Sequence, residues 1–147
     1  MSDPMTDRDR WWCVIAYEVS MLRFAMSISG SPPLHNLISE ARVLHTRNLC
    51  DLCDPRARKT DIKPSDLFDA YDTDPRCGTL KQLIKTFAQK YGENQRGHAR
   101  WAFNKMAVHP TKERNTSFDY TPYLTLVLPA LIEIIAEMET LRGRSFP

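Results

Sequence analysis

The stretch NKMAVHPTKER, from Asn104 to Arg114, gathers a carboxamide, a histidine and four charged side chains around a proline that should end a helix. His109 falls in the last turn before Pro110. Unpaired carbonyls there favour a cation and raise an imidazole's affinity for its proton, so His109 is a candidate group for moving protons near neutral pH. Asn104 with Lys105, Lys112 and Arg114 adds an amide and three cations, which is anion-binding chemistry. A second segment, HTRNLCD, contributes His45, Arg47, Asn48 and Asp51: two polar donors, a cation and a carboxylate within two helical turns. If the two helices that carry these segments pack antiparallel, the groups meet. The reacting set is then His109, Asn104 and Arg47, with Lys105, Lys112 and Arg114 on a phosphate chain and His45, Asn48 and Asp51 as a polar cluster. A structural role competes with this reading. A buried His or Asn left without a partner costs about 1 to 3 kcal/mol, so such residues also serve to cross-link helices and fix their register.

The elements that must position these groups follow from apolar spacing. Trp12, Ile15, Val19, Leu22 and Met26 recur at steps of three and four, which predicts a helix from about Arg8 to Ser29, stopped by Gly30. Ser31, Pro32 and Pro33 then form a start signal, with Ser31 as the cap. The second helix carries Leu34, Ile38, Ala41, His45, Asn48 and Leu52 on one stripe, flanked by Leu37 and Leu44, so polar residues enter an apolar seam. Residues 54 to 75, rich in Pro, Asp and Lys, read as one long connection with a short helical turn near Ser65 to Tyr71 and few apolar anchors. Leu80, Leu83, Ile84, Phe87 and Tyr91 mark a third helix ending at Gly92. The fourth is expected from Asn94 to His109, with Ala99, Ala102, Phe103 and Met106 on its apolar side and Pro110 as its stop. Thr121 and Pro122 open a fifth, which Pro129 should bend. No run alternates with period two for long enough to make a strand. The expectation is an all-α bundle of about five helices with one long connection, a single domain over residues 1–147.

Composition narrows the function classes. With 147 residues, 42% of them apolar and 26% charged, the chain is sized for one core and is neither fibrous nor low-complexity. The apolar run from Tyr123 to Ile132 is too short to span a bilayer, and MSDPMTDRDR has no signal-type apolar stretch, so a cytoplasmic protein is expected. The four cysteines are then expected as free thiols. Cys50 and Cys53 form a C-x-x-C with no second ligand pair, so neither a metal nor another cofactor is expected, although a zinc or redox role for this pair stands as a third reading. Asp72, Asp74 and Gly78 miss the spacing of a calcium loop. The net charge is only +2, but residues 81 to 114 hold eight basic and two acidic side chains, the surface a polyanion requires. Trp11, Trp12 and Trp101 read as core or dimer anchors rather than base-stacking platforms. Because Val14, Met21 and Phe24 extend the apolar circumference of the first helix beyond one face, a homodimer is expected.

A short helical chain with a polar residue, four intervening residues and a histidine near a late helix end resembles the HEPN superfamily of bacterial toxin and defense proteins, whose signature is an arginine, four to six residues and a histidine. The matching span is Asn104 to His109, with Asn104 at the arginine position; Arg100 stands further upstream, with eight residues between it and His109. The resemblance implies metal-independent RNA cleavage at a site shared across a homodimer. In that chemistry a histidine takes the 2′-hydroxyl proton while a cation stabilises charge on the phosphate. His109 would be the base, and Arg47, Arg114 or Lys105 would supply the cation. RNA is therefore the expected partner. The alternative is a non-catalytic protein-interaction module whose polar cluster is structural.

Overall fold

Thr6 begins the first helix by accepting the Asp9 amide on its hydroxyl at 3.1 Å, while the Asp9 carboxylate accepts the Thr6 amide at the same distance. This reciprocal cap occupies two of the amides that a helix start leaves unpaired. The computed structural model describes residues 4–56, 58–108 and 118–147. Among them every regular element is helical: α1 (Asp7–Ser27), α2 (Leu34–Leu52), α3 (Pro64–Leu67), α4 (Gly78–Tyr91), α5 (Ala99–Trp101, continuing with π-helical winding over Ala102–Val108) and α6 (Thr121–Arg142), with one 3-10 turn at Pro75–Cys77. The expected all-α bundle is what forms.

α1 and α2 make an antiparallel hairpin, α4 packs along α6, and α2 also touches α5 and α6, so α2 is the element with neighbours on most sides. Val19 and Leu22 from α1 meet Val43 and Leu49 from α2 in one core. Leu80 and Phe87 from α4, Ala102 and Phe103 from α5, and Val127, Leu131, Ile134 and Met138 from α6 complete it. Phe146, beyond α6, folds back against Trp12 at 5.9 Å between ring centroids, and the Arg142 guanidinium lies 4.8 Å from the same indole. Trp11 is half-buried, while Trp12 and Trp101 are core residues, as expected of them.

Several boundaries differ from the sequence reading, each for a physical reason. On α1 the inward residue of the last turn is Ala25, and Met26 stands exposed, because the chain turns away toward α2 after Ser27. The α2 stripe is wider than a seam: Val43, Thr46, Leu49 and Cys50 are buried on the core side, while Leu34, Leu37 and Leu44 remain exposed. Ser31 gives no side-chain cap; its carbonyl accepts the His35 amide, and Pro33 takes the cap position. Asn94 to Gly97 are not helical. α5 begins only at Ala99, since His98 turns back to accept the Glu93 amide on Nδ1 at 2.7 Å and holds the preceding loop closed. The long connection also carries more anchors than its composition suggests. Leu67 is buried, Phe68 meets Trp12 edge to face at 5.2 Å, and Arg8 bonds the Asp66 carbonyl at 3.2 Å and the Asp69 carboxylate at 2.6 Å. α6 runs without a break through Pro129, which sits on its exposed side, where water can satisfy the carbonyl left without a donor.

Arg42 closes the far end of the hairpin. Its Nε donates to the Ala25 carbonyl at 2.8 Å and its Nη2 to the Ile28 carbonyl at 2.7 Å, supplying donors where α1 runs out of its own. Arg42→Met keeps the aliphatic stem and removes both donors. Urea unfolding is expected to show a loss of about 1 to 3 kcal/mol, and an unchanged midpoint would show that water replaces the guanidinium without cost.

Candidate functional site

The last two turns of α2 send polar side chains to two different places. His45 is 7% exposed, and its Nδ1 lies 2.7 Å from Glu18 Oε2 on α1. Asn48 donates to the same oxygen at 3.2 Å. Because a carboxylate only accepts, Nδ1 carries the proton in this contact. Antiparallel packing of the two segments would have brought this pair to the helix of Asn104; instead the pair ties α2 to α1. The reason is rotational: with Val43, Thr46 and Cys50 turned to the core, His45 and Asn48 point along the hairpin seam. Both residues thus cross-link the two helices of the hairpin, and the Tyr17 ring packs edge-on to His45 at 6.1 Å.

Arg47, on the other side of α2, does reach α5. Its Nε donates to Asn104 Oδ1 at 2.9 Å, and its Nη2 lies 3.5 Å from Asp51 one turn on. Asn104 and Lys105 sit in the π-helical stretch, whose wider turn swings side chains relative to an α-helix and is often found where a helix serves a site. Arg47, Asn104, Asp51 and Lys105 are thus brought together as the sequence reading expects. They line one side of a polar cleft of about 470 Å³.

The other side comes from residues outside the sequence-predicted site: Asp54, Arg56, Arg58, Asp61, Asn94 and Arg100, the last too far along the chain from His109 for the motif spacing. Asp54, nearly buried, is the pivot. Its Oδ1 accepts the Arg56 amide at 2.9 Å and the Arg56 Nε at 2.8 Å, and its Oδ2 lies 3.3 Å from Arg100 Nη2. Arg56 reaches on to Glu93 at 2.6 Å and to the Gly92 carbonyl at 3.0 Å, which latches the connection to the end of α4. Bonding to Asp54 holds the Arg56 proton more firmly than usual. Burial pushes the Asp51 carboxyl up from its ordinary value against the pull of Arg47. Five cations and three carboxylates therefore share the cleft lining, a surplus of two positive charges. The sequence signals for this wall are the basic run RARK at the head of the connection and, for Arg100, the basic block over residues 81 to 114. A smaller pocket of about 270 Å³, lined by Glu18, Asn48, Asp51 and Asp61 among others, adjoins the cleft through the two shared aspartates.

His109, Lys112 and Arg114 lie outside the described residues. Among the described residues no three His, Cys, Asp or Glu side chains converge as a metal site requires. Cys50 and Cys53 are fully buried; burial pushes the Cys50 thiol well up and the Cys53 thiol to about 12, so neither offers a thiolate near neutral pH. No helix among the described residues is long and apolar enough to cross a membrane. No protein-family model matches the chain, and no curated protein or solved structure matches it significantly.

Two measurements check this arrangement. Glu18→Ala strands both His45 and Asn48 and is expected to cost about 1 to 3 kcal/mol in denaturant unfolding, with Asn48→Leu costing less because one donor and its need disappear together; equal or negligible losses would place the seam in free contact with water. In native protein at pH 8, an aromatic disulfide reagent should titrate Cys13 rapidly and the three buried thiols only after unfolding, and fast reaction of Cys50 would contradict its burial.

Proposed function

We propose that the chain is a cytoplasmic, homodimeric RNA-binding protein with metal-independent ribonuclease chemistry at the cleft between α2 and α5. The observation that carries this reading is the Arg47–Asn104 hydrogen bond, because it joins Arg47 of HTRNLCD to Asn104 of NKMAVH in one cationic cleft of a size that admits a nucleotide. In this reading His109, five residues beyond Asn104, takes the 2′-hydroxyl proton. Arg47, held in orientation by Asn104 and Asp51, stabilises charge on the phosphate, and Lys105, Lys112 and Arg114 follow the backbone. These roles are the ones that the resemblance to the HEPN superfamily implies, with Arg47 supplying the cation because Asn104 holds the arginine position. A non-catalytic interaction module is the second reading, and one observation favours it: Arg47, Arg56 and Arg100 each already face an aspartate, as in a structural ion-pair network.

Labelled mixed cellular RNA, incubated with purified protein in the presence of a chelator, separates the two. Cleavage that survives the chelator is expected, with His109→Ala and Arg47→Ala each lowering it about 100-fold or more while the melting curve holds. Replacing Lys112 and Arg114 together by alanine should reduce the log–log salt slope of RNA binding by about 1.4, roughly 0.7 for each single-strand phosphate that is no longer neutralised. Binding without cleavage, or cleavage untouched by His109→Ala, removes the catalytic assignment. Neither binding nor cleavage leaves the interaction module.

A further inference from the structure

We propose that the outer face of the α1–α2 hairpin is a dimer interface and that its occupant is a second copy of this chain. The inference rests on the homodimer of the reading above and not on its RNA chemistry. Of the ten large apolar side chains that stand exposed among the described residues, six share this face: Val14, Tyr17 and Phe24 from α1, and Leu34, Leu37 and Leu44 from α2. Their spacing is what singles them out. On α1 the positions 14, 17, 21 and 24 advance by three, four and three, with Met21 at the intervening step; on α2 the positions 34, 37, 41 and 44 do the same, with Ala41 between. This is the knob spacing by which helices pack on other helices, repeated on two neighbours. Neither set points to the core, since Val19 and Leu22 on one helix and Val43, Thr46 and Leu49 on the other already fill it. The contact of the Tyr17 and His45 rings joins the two helices along this face.

The area fits a two-fold pair. Exposures between 43% and 63% at the six positions leave on the order of 600 Å² of apolar side chain in water, the upper end of the largest patch on an ordinary monomer. Doubled across a two-fold axis this is about 1,200 Å², where specific interfaces begin. The face has no charged side chain at any of its eight positions, so it carries no electrostatic means of choosing an unlike partner, whereas the matched steps on its two helices make it complementary to itself. The exposed residues of α6, Leu126 and Ile132, are too few to compete. Val14 also lines the smaller pocket with Glu18, Asn48 and Asp51, so a partner on this face closes that pocket's mouth and comes within reach of the cleft.

Sedimentation equilibrium of the full chain at micromolar concentration is expected to give twice the 17.0 kDa chain mass. Phe24→Glu combined with Leu37→Glu should give the monomer mass with an unchanged helical circular dichroism spectrum, because both side chains are exposed in the single chain. Leu126→Glu with Ile132→Glu should remain dimeric. Should the first double variant fail to fold, Leu37→Gln alone, at the most exposed of the six positions, is expected to raise the dimer dissociation constant about tenfold or more. A monomeric wild type overturns the proposal, whether that monomer floats with anionic vesicles or binds another protein through the face; so does a dimer that only the α6 changes dissociate. Mass and RNA cleavage are separate readouts: an inactive dimer leaves this interface standing, and an active monomer leaves the cleft chemistry standing.

Discussion

The rotation of α2 about its own axis is the constraint on which every candidate group depends. Val43, Thr46, Leu49 and Cys50 are fully or almost fully buried, so turning the helix would expose the centre of the core. Burying aliphatic side chains such as Val43 and Leu49 is worth roughly 1.5 to 3 kcal/mol each, and together this outweighs any single polar contact at the periphery, so apolar packing sets the angle and polar groups take the directions that remain. Once that angle is set, Arg47 and Asp51 face α5 and the cleft, His45 and Asn48 fall in the seam with α1, and Leu37 and Leu44 face outward. Glu18 then refines the seam. By accepting from both His45 and Asn48 it satisfies two donors that would otherwise be stranded in a closely packed hairpin.

The helices are readable from sequence where one face alone is buried. α4 shows this best: Leu80, Phe87 and Tyr91 are buried, Leu83 and Ile84 are partly so, and Gly92 ends the helix at positive φ. α2 is less readable because it packs on several sides, and its polar residues fit the period of a seam without revealing which neighbour the seam faces. Glu18 looks in sequence like one more surface carboxylate on an apolar helix. Its role depends on which helix lies beside it, and periodicity carries no information about pairing. The start of α5 is hidden for a related reason, since His98 binding back to Glu93 is a loop contact that leaves no trace in apolar spacing.

The candidate site divides in the same way. Arg47, Asn104, Lys105 and Asp51 lie on helices, and helical faces can be matched from spacing. Asp54, Arg56 and Arg58 lie in the irregular connection, where the position of a side chain follows from its partners rather than from a period. Asp54 is the clearest instance: a carboxylate this deeply buried is tolerable because Arg56 and Arg100 approach its two oxygens from different segments. Arg100 stands too far along the chain from His109 to fit the motif spacing, yet it lines the same cleft as Arg47 and Asn104. Separation in sequence says little about separation in space when a connection folds back across a helix end.

The pairing of these arginines with aspartates bears on both functional readings. Five cations around one cleft repel one another, and without nearby carboxylates their long side chains would spread into solvent at little cost. Asp51 and Asp54 prevent this by holding guanidinium groups at defined distances, so the forks keep one orientation before any ligand arrives. A structural network needs no more than that. An anion site needs one thing further, more cations than carboxylates in its lining, and the cleft has five against three. Asp51 also differs from a purely structural partner. Its carboxyl is pushed up by burial while Arg47 holds it down, so a phosphate that drew Arg47 away would leave Asp51 with a stronger hold on a proton. In the RNA reading a phosphate therefore competes with the Asp51 carboxylate for the Arg47 guanidinium.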